Sequence, residues 1–217
     1  MSETELTPLF LREGNNMEER AGLRIRLYGD PILRKKAKAV GTVTQAHQGI
    51  LSEMARLMYE HDGMGLAAPQ VGIDEALIVV DIGKGLYKLI NPEIVNKGGR
   101  QVNQEGCLSL PGVCIKVKRA KKIKVLAEDA FGKPISIETE DLFACVLQHE
   151  IEHLKGKLIV DYANLFEKLK IRKKIKQLQK KAEDEPRPSY KGWGAKKEEE
   201  RGEELSETKR KSCKLQL

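Results

Sequence analysis

Residues 141–154 read DLFACVLQHEIEHL, and no other stretch limits the fold as much. Leu142, Phe143, Val146 and Leu147 make this segment strongly apolar, so the helix it predicts belongs inside a domain. Yet the same helix carries His149, Glu150, Glu152 and His153. Buried imidazoles and carboxylates need partners. His149 and His153 are four residues apart and share one helix face, so both can reach one ion. Glu150 adjoins the first of them, where its carboxylate can handle the proton of an attacking water. His-Glu-x-x-His in this setting points to a metal-dependent hydrolase. The plain alternative, a solvated helix face, conflicts with the apolar run just before it.

Two histidines call for a third protein ligand and one open position. His47 and His61 lie on, or just after, an expected helix and read as ordinary surface residues. Cys145 is one turn before His149 on the same face and reads as a small buried residue. Cys107 sits in QEGCLSLPG, where Gly106 lets the backbone come close to another group. Spacing alone does not choose among Cys107, Cys114 and Cys145. With Cys213 these cysteines form no Cys-x-x-Cys pair, so disulfide stapling is not expected and a reducing cytoplasm is the expected compartment.

The remaining chain can be organised around that helix. Residues 1–22 are charged and aperiodic, and are expected to be a mobile extension rather than a secretory or transit signal. LRIRLYGDP alternates apolar Leu23, Ile25 and Leu27 with charged residues, which predicts a strand. A helix is expected from 44 to about 61, with Gly63 just past its end. GMGLAAPQVG reads as an irregular Gly-rich loop, ALIVVDI as a buried strand and LYKLINPEIV as another. IKVLAED and KPISIETE predict a hairpin around Ala130-Phe131-Gly132. Thr139 is the expected cap of the central helix, which should end near Gly156. A last helix is expected over about 164–182. Residues 183–217 are too charged and too poor in apolar side chains to fold alone and read as a disordered tail. No run approaches the eighteen or so apolar residues of a membrane span, so no membrane partner is expected.

The 217-residue chain carries a net charge of +7, and much of it falls in LFEKLKIRKKIKQLQKKA, residues 165–182. Eight basic residues there face the single acid Glu167. Leu165, Phe166 and Leu169 form one apolar stripe, and Ile171, Ile175, Leu178 and Ala182 another. The first turns are expected to dock on the domain, leaving the later turns cationic. Such a face is either a solvated helix end or a surface for nucleic-acid phosphates.

Three segments now read together: GMGLAAPQ (63–70), EGCLS (105–109) and QHEIEHLKG (148–156). In identity and order they resemble the bacterial-type peptide deformylase family, over about residues 23–182. The resemblance implies an α+β catalytic domain at 23–182, with mainly antiparallel strands around the HExxH helix and flanking helices. It implies an enzyme that removes the N-formyl group from the formylmethionine of newly made proteins and releases formate. Cys107, His149 and His153 become the metal ligands, with Fe(2+) as the native ion and Zn(2+) or Ni(2+) as substitutes in purified protein. Glu150 becomes the acid/base. The Gln70 side-chain amide and the Leu108 backbone N–H become donors to the oxyanion, and the peptide pairs near Met64 and Gly65. The implied partners are N-formylmethionyl nascent peptides and the ribosome, the latter through rRNA contacts of the basic helix 165–182; DNA is not among them. Two positions depart from the family pattern. Glu152 stands where Asp is usual and is expected to orient a ligand or pair with a base such as Arg119. Cys114 stands where some members carry an Arg that contacts substrate side chains. A zinc peptidase would need no Cys107, and a non-catalytic RNA-associated relative would have Glu152 as its one mark of lost activity.

Overall fold

The computed structural model describes residues 22–184. The N-terminal extension apart from Gly22, and the charged tail beyond Asp184, lie outside the described residues. The elements run α1 (Gln45–Glu60), β1 (Gly65–Ala67), β2 (Leu77–Val80), β3 (Tyr87–Gly98), β4 (Gln101–Glu105), β5 (Ile115–Arg119), β6 (Lys122–Glu128), β7 (Pro134–Glu140), α2 (Asp141–His153) and α3 (Leu165–Asp184). Five strands form one sheet in the order β1-β2-β3-β6-β7, and β4-β5 form a second. Every ladder is antiparallel, so the fold is α+β as expected.

Alternation along the strands explains how the helices are placed. Leu66, Leu77, Val79 and Ile90 pack with Leu51, Met54 and Met58 of α1. Their neighbours Ala67, Ile78, Val80 and Leu89 pack with Ala144, Val146, Leu147 and Ile151 of α2. The LIVV run of β2 is buried throughout because helices cover both of its faces. Helix α2 is buried from Ala144 to Ile151, so it is the central helix that its composition demanded. A third core joins Cys107, Leu110, Val113, Ile115 and Val117 to Leu158, Ile159 and Leu178.

Several expectations need correction. LRIRLYG forms no strand and runs into a turn at Tyr28-Gly29; Arg26 and Tyr28 donate backbone N–H groups to the carbonyls of Gln70 and Ser109 at 2.6 and 2.9 Å. Arg26 is the buried residue there, at 7% exposure, while Leu23, Ile25 and Leu27 are half-buried. GMGLAAPQVG is not irregular: it supplies β1 and a 3-10 turn over Ala68–Val71. The β4-β5 pair was not expected at all. Thr139 lies in β7, and the strand passes into α2 with no loop, through Asp141 at φ +56°. His47 is not an idle surface residue, since its Nδ1 accepts the Thr44 N–H at 2.9 Å and closes the first turn of α1.

Helix α3 also docks the other way round. Asn164 caps it, accepting the Glu167 N–H at 2.9 Å while Glu167 accepts the Asn164 N–H. Leu178 and Ala182 of the later turns are buried, with Ile171 and Ile175 packed beside them. Leu165, Phe166 and Leu169 of the first turns are 71%, 76% and 59% exposed. Both stripes were visible in the sequence, and the third core selects the second. Leu178→Ala should therefore cost about 2–4 kcal/mol in urea unfolding, as expected for a Leu truncated in a core. Phe166→Ala should change stability by less than about 0.5 kcal/mol. The reverse ranking would show that the first turns hold the helix.

Candidate metal centre

The HEIEH half of α2 points its two imidazoles at the loop that follows β4. The Nε2 atoms of His149 and His153 stand 3.1 Å apart, and His153 Nε2 is 3.3 Å from Cys107 Sγ. Ligand atoms of these three buried residues all lie within 4.8 Å of one another. Bonds of about 2.0–2.3 Å to a single tetrahedral ion would put such atoms roughly 3.3–3.6 Å apart, so the spacing suits one shared ion.

The protonation pattern suits it too. Glu105 Oε2 lies 3.0 Å from His149 Nδ1, which fixes the proton on Nδ1 and turns the Nε2 lone pair toward the cluster. Burial pushes both imidazoles below their ordinary pKa, His153 strongly, and keeps them in the neutral, ligating form. Burial also pushes the Cys107 thiol up, with the nearby Glu150 charge adding to the effect. A cation among these groups would reverse that and favour the thiolate. Cys145, the other free thiol among the described residues, is not in the cluster and donates to Glu105 Oε1 at 3.2 Å.

Glu150 is 0% exposed, and neither carboxylate oxygen has a hydrogen-bond partner in the protein. Burial raises its pKa well above the ordinary carboxyl value. An unpartnered buried carboxyl beside three converging ligand atoms is poised to take and give a proton. Gly65 allows this arrangement. A Cβ there would stand 2.8 Å from Glu150 Cγ and Cδ, so only glycine lets β1 pass this close.

Gln70 completes the wall. Its Oε1 accepts the Ala67 N–H at 2.8 Å, which settles the amide orientation. Its Nε2 then points inward, 3.6 Å from Cys107 Sγ and 3.4 Å from Ser109 Oγ. Leu108 follows Cys107 and is buried against Gly63, where an added Cβ would meet its Cδ1 at 2.9 Å. Met64 is half-buried beside the second core, and its carbonyl accepts the Asp81 N–H at 3.0 Å. Cys107, His149 and His153 thus come together with Glu150, Gly65 and Gln70 around them, whereas Cys145 and His47 bond elsewhere.

Two other residues of the site, Glu105 and Gln148, had no role assigned from the sequence. Glu105 belongs to the EGCLS motif, but its role depends on the fold. Arg119 forks onto it, with Nε on Oε1 and Nη2 on Oε2, the latter at 2.7 Å. Arg119 Nη1 also donates to Glu152 Oε2 at 2.9 Å, so Glu152 pairs with Arg119 as expected. Burial alone would raise Glu105, but the hydrogen bonds from His149 and Arg119 outweigh it and hold the carboxyl at about 2. Gln148 locks α2 to the end of β5. It donates to the Ala120 carbonyl at 2.9 Å and accepts the Ala120 N–H at 3.0 Å. Nothing in the sequence showed that Arg119 would also fork onto Glu105, fourteen residues before it.

A family model described as polypeptide deformylase matches residues 23–169. A peptide deformylase of Thermoanaerobacter pseudethanolicus is 53% identical over 142 residues, which are 65% of this chain and 89% of that one. Another, from Thermotoga neapolitana, is 40% identical over 160 residues, 73% of this chain and 98% of that one. The crystal structure of a peptide deformylase from Legionella pneumophila superposes with a TM-score of 0.70 at 41% identity, covering 76% of this chain and 100% of that one.

The two buried thiols separate ligation from packing. Cys107→Ala should lower bound metal per chain, measured by elemental analysis after dialysis, whereas Cys145→Ala should leave it unchanged. Reversed results would remove Cys107 from the ligand set.

Proposed function

The chain belongs to the polypeptide deformylase family, metal-dependent hydrolases that remove the N-formyl group from nascent peptides, and on that premise we propose that Cys107, His149 and His153 hold the ion while Glu150 moves the proton. The observation that carries this reading is the convergence of the three ligand atoms beside a buried carboxyl without a protein partner. When bound, the ion supplies Lewis-acid polarisation and makes a water more acidic. Two imidazoles and a thiolate suit Fe(2+), which we take as the working ion, and also accept Zn(2+) or Ni(2+).

Glu150 takes the proton of the water that attacks the formyl carbon. Its burial then keeps that proton on the carboxyl until the C–N bond breaks, when it passes to the leaving amine. Charge that develops on the formyl oxygen meets Gln70 Nε2, which the Ala67 N–H already aims inward, and the Leu108 N–H. The substrate backbone adds to the edge of the large sheet beside Met64 and Gly65, since β1 is an outer strand with β2 as its ladder partner.

We further assign the basic residues of α3 to the ribosome. Lys168, Lys170, Arg172, Lys173 and Lys176 are all exposed, and rRNA phosphates offer the matching charge where the substrate emerges. A cytoplasmic location fits this reading. No helix among the described residues is long and apolar enough to cross a membrane.

Glu150→Gln should lower deformylation of a formyl-Met peptide by about 10²–10⁴-fold, with bound metal retained. The parent should release formate from that peptide and leave its unformylated counterpart uncut. Cleavage of internal bonds would make the chain a peptidase instead. Replacing Lys168, Lys170, Lys173 and Lys176 by Gln spares the buried stripe. It should weaken ribosome co-sedimentation and flatten its salt dependence by roughly 0.7–0.9 in log–log slope per lost phosphate contact. Unchanged co-sedimentation would leave α3 as a solvated helix.

A further inference from the structure

We propose that Tyr162 is a positioning residue for His149, acting through Glu152, Arg119 and Glu105. The inference rests on His149 being a metal ligand. Tyr162 ends a 3-10 turn, Ile159–Tyr162, between α2 and α3, and belongs to neither helix. Its hydroxyl donates to Glu152 Oε1 at 2.6 Å, and Glu152 Oε2 accepts from Arg119 Nη1 at 2.9 Å. Arg119 passes the arrangement on through its fork to Glu105, whose Oε2 stands 3.0 Å from His149 Nδ1. Five side chains therefore run in one line from the surface to the metal cluster. Tyr162 is 37% exposed, the Glu152 side chain 22%, and those of Arg119, Glu105 and His149 are 2%, 0% and 2%.

Each link leaves the next fewer choices. Glu152 is partly solvated and has side-chain freedom that would let its carboxylate leave Arg119. The Tyr162 hydroxyl occupies one oxygen and so presents the other to Nη1. With Nη1 held, the remaining edge of the guanidinium meets both oxygens of Glu105, and that geometry admits little rotation. Glu105 in turn sets the His149 ring and the direction of Nε2. The Tyr162 ring also lies near the guanidinium, 5.8 Å from centroid to Cζ. The arrangement accounts for Glu at position 152, because an aspartate is one methylene shorter and would not span the gap between Tyr162 and Arg119 in the same way.

Tyr162→Phe keeps the ring and removes only the hydroxyl. Affinity for Zn(2+) is read by chelator competition on full-length protein, beside kcat and KM on a formyl-Met peptide. Loss of a direct partner of a ligand typically weakens metal binding about 10–100-fold, so this more distant link should cost about threefold to tenfold. Turnover should fall with KM unchanged. Glu152→Gln should produce a similar loss, and the double variant should be no worse than Glu152→Gln alone, because both act through one line. Zn(2+) affinity equal to the parent's, with only the melting temperature lowered, would overturn the inference and leave Tyr162 a packing residue. So would losses that add in the double variant. A parent protein that held no metal would overturn the ligand assignment itself, and this inference with it.

Discussion

Arg119 lies between two carboxylates with its side chain 2% exposed, and its pairing with Glu105 is the contact on which the site depends. Burying a guanidinium and a carboxylate is expensive, several kcal/mol for each ion, and is offset only when the remaining lone pairs and protons are also satisfied. Here they are. Glu105 takes two bonds from Arg119, faces His149 Nδ1 and accepts from Cys145 Sγ. Removing either partner would leave a buried charge uncompensated, a loss of about 3–5 kcal/mol. The pair also joins separate parts of the fold. Glu105 ends β4 two residues before Cys107, Arg119 ends β5, and α2 carries His149. The thiol and the imidazoles are thus located against one common ion pair.

The central helix was legible in the sequence because its two signals conflict unless a site resolves them. An apolar run requires burial, and HEIEH requires partners. Strands β2 and β3 and the β6-β7 hairpin with its 129–133 turn were legible because apolar runs and turn chemistry are local. Arg26 shows where local reading fails. The alternation of LRIRLYG placed the apolar residues inward, yet the segment pairs its backbone with Gln70 and Ser109 instead of a strand, and Arg26 becomes its most buried side chain. The β4-β5 pair was missed because QVNQE carries little β-signal. Its order comes from the partner strand and from Glu105 at its end.

The site divides along the same line. Residues adjacent in motifs, such as His149, Glu150 and His153, declare themselves through spacing. The proposed third ligand does not, since Cys107, Cys114 and Cys145 are equivalent by spacing, and only the family resemblance chose Cys107. The fold then separates them on physical grounds. Cys107 Sγ is 3.3 Å from His153 Nε2, whereas Cys145 Sγ faces Glu105. Helix α3 repeats the lesson at larger scale. Its two stripes are comparable in sequence, and the choice between them lies in Leu110, Val113 and Ile115, which are far away in the chain.

Glu105 and Glu150 are the same residue type, both fully buried, within one centre, yet their environments drive them apart. Glu105 is saturated with donors and held at about 2, so it stays charged and serves as a fixed reference. Glu150 has no protein donor, and burial, with the Glu105 charge adding to it and the Arg119 charge opposing it, raises it well above its ordinary value. The difference is built by neighbours: an arginine fork and an imidazole N–H around one, the bare backbone of Gly65 against the other. A carboxyl that is to move protons must be denied the hydrogen bonds that would fix its charge, and one that is to aim a ligand must be given them. On the proposed role of Glu150, the glycine in β1 serves the chemistry as well as the packing. It lets a strand close over Glu150 while bringing no side chain that could occupy or displace it.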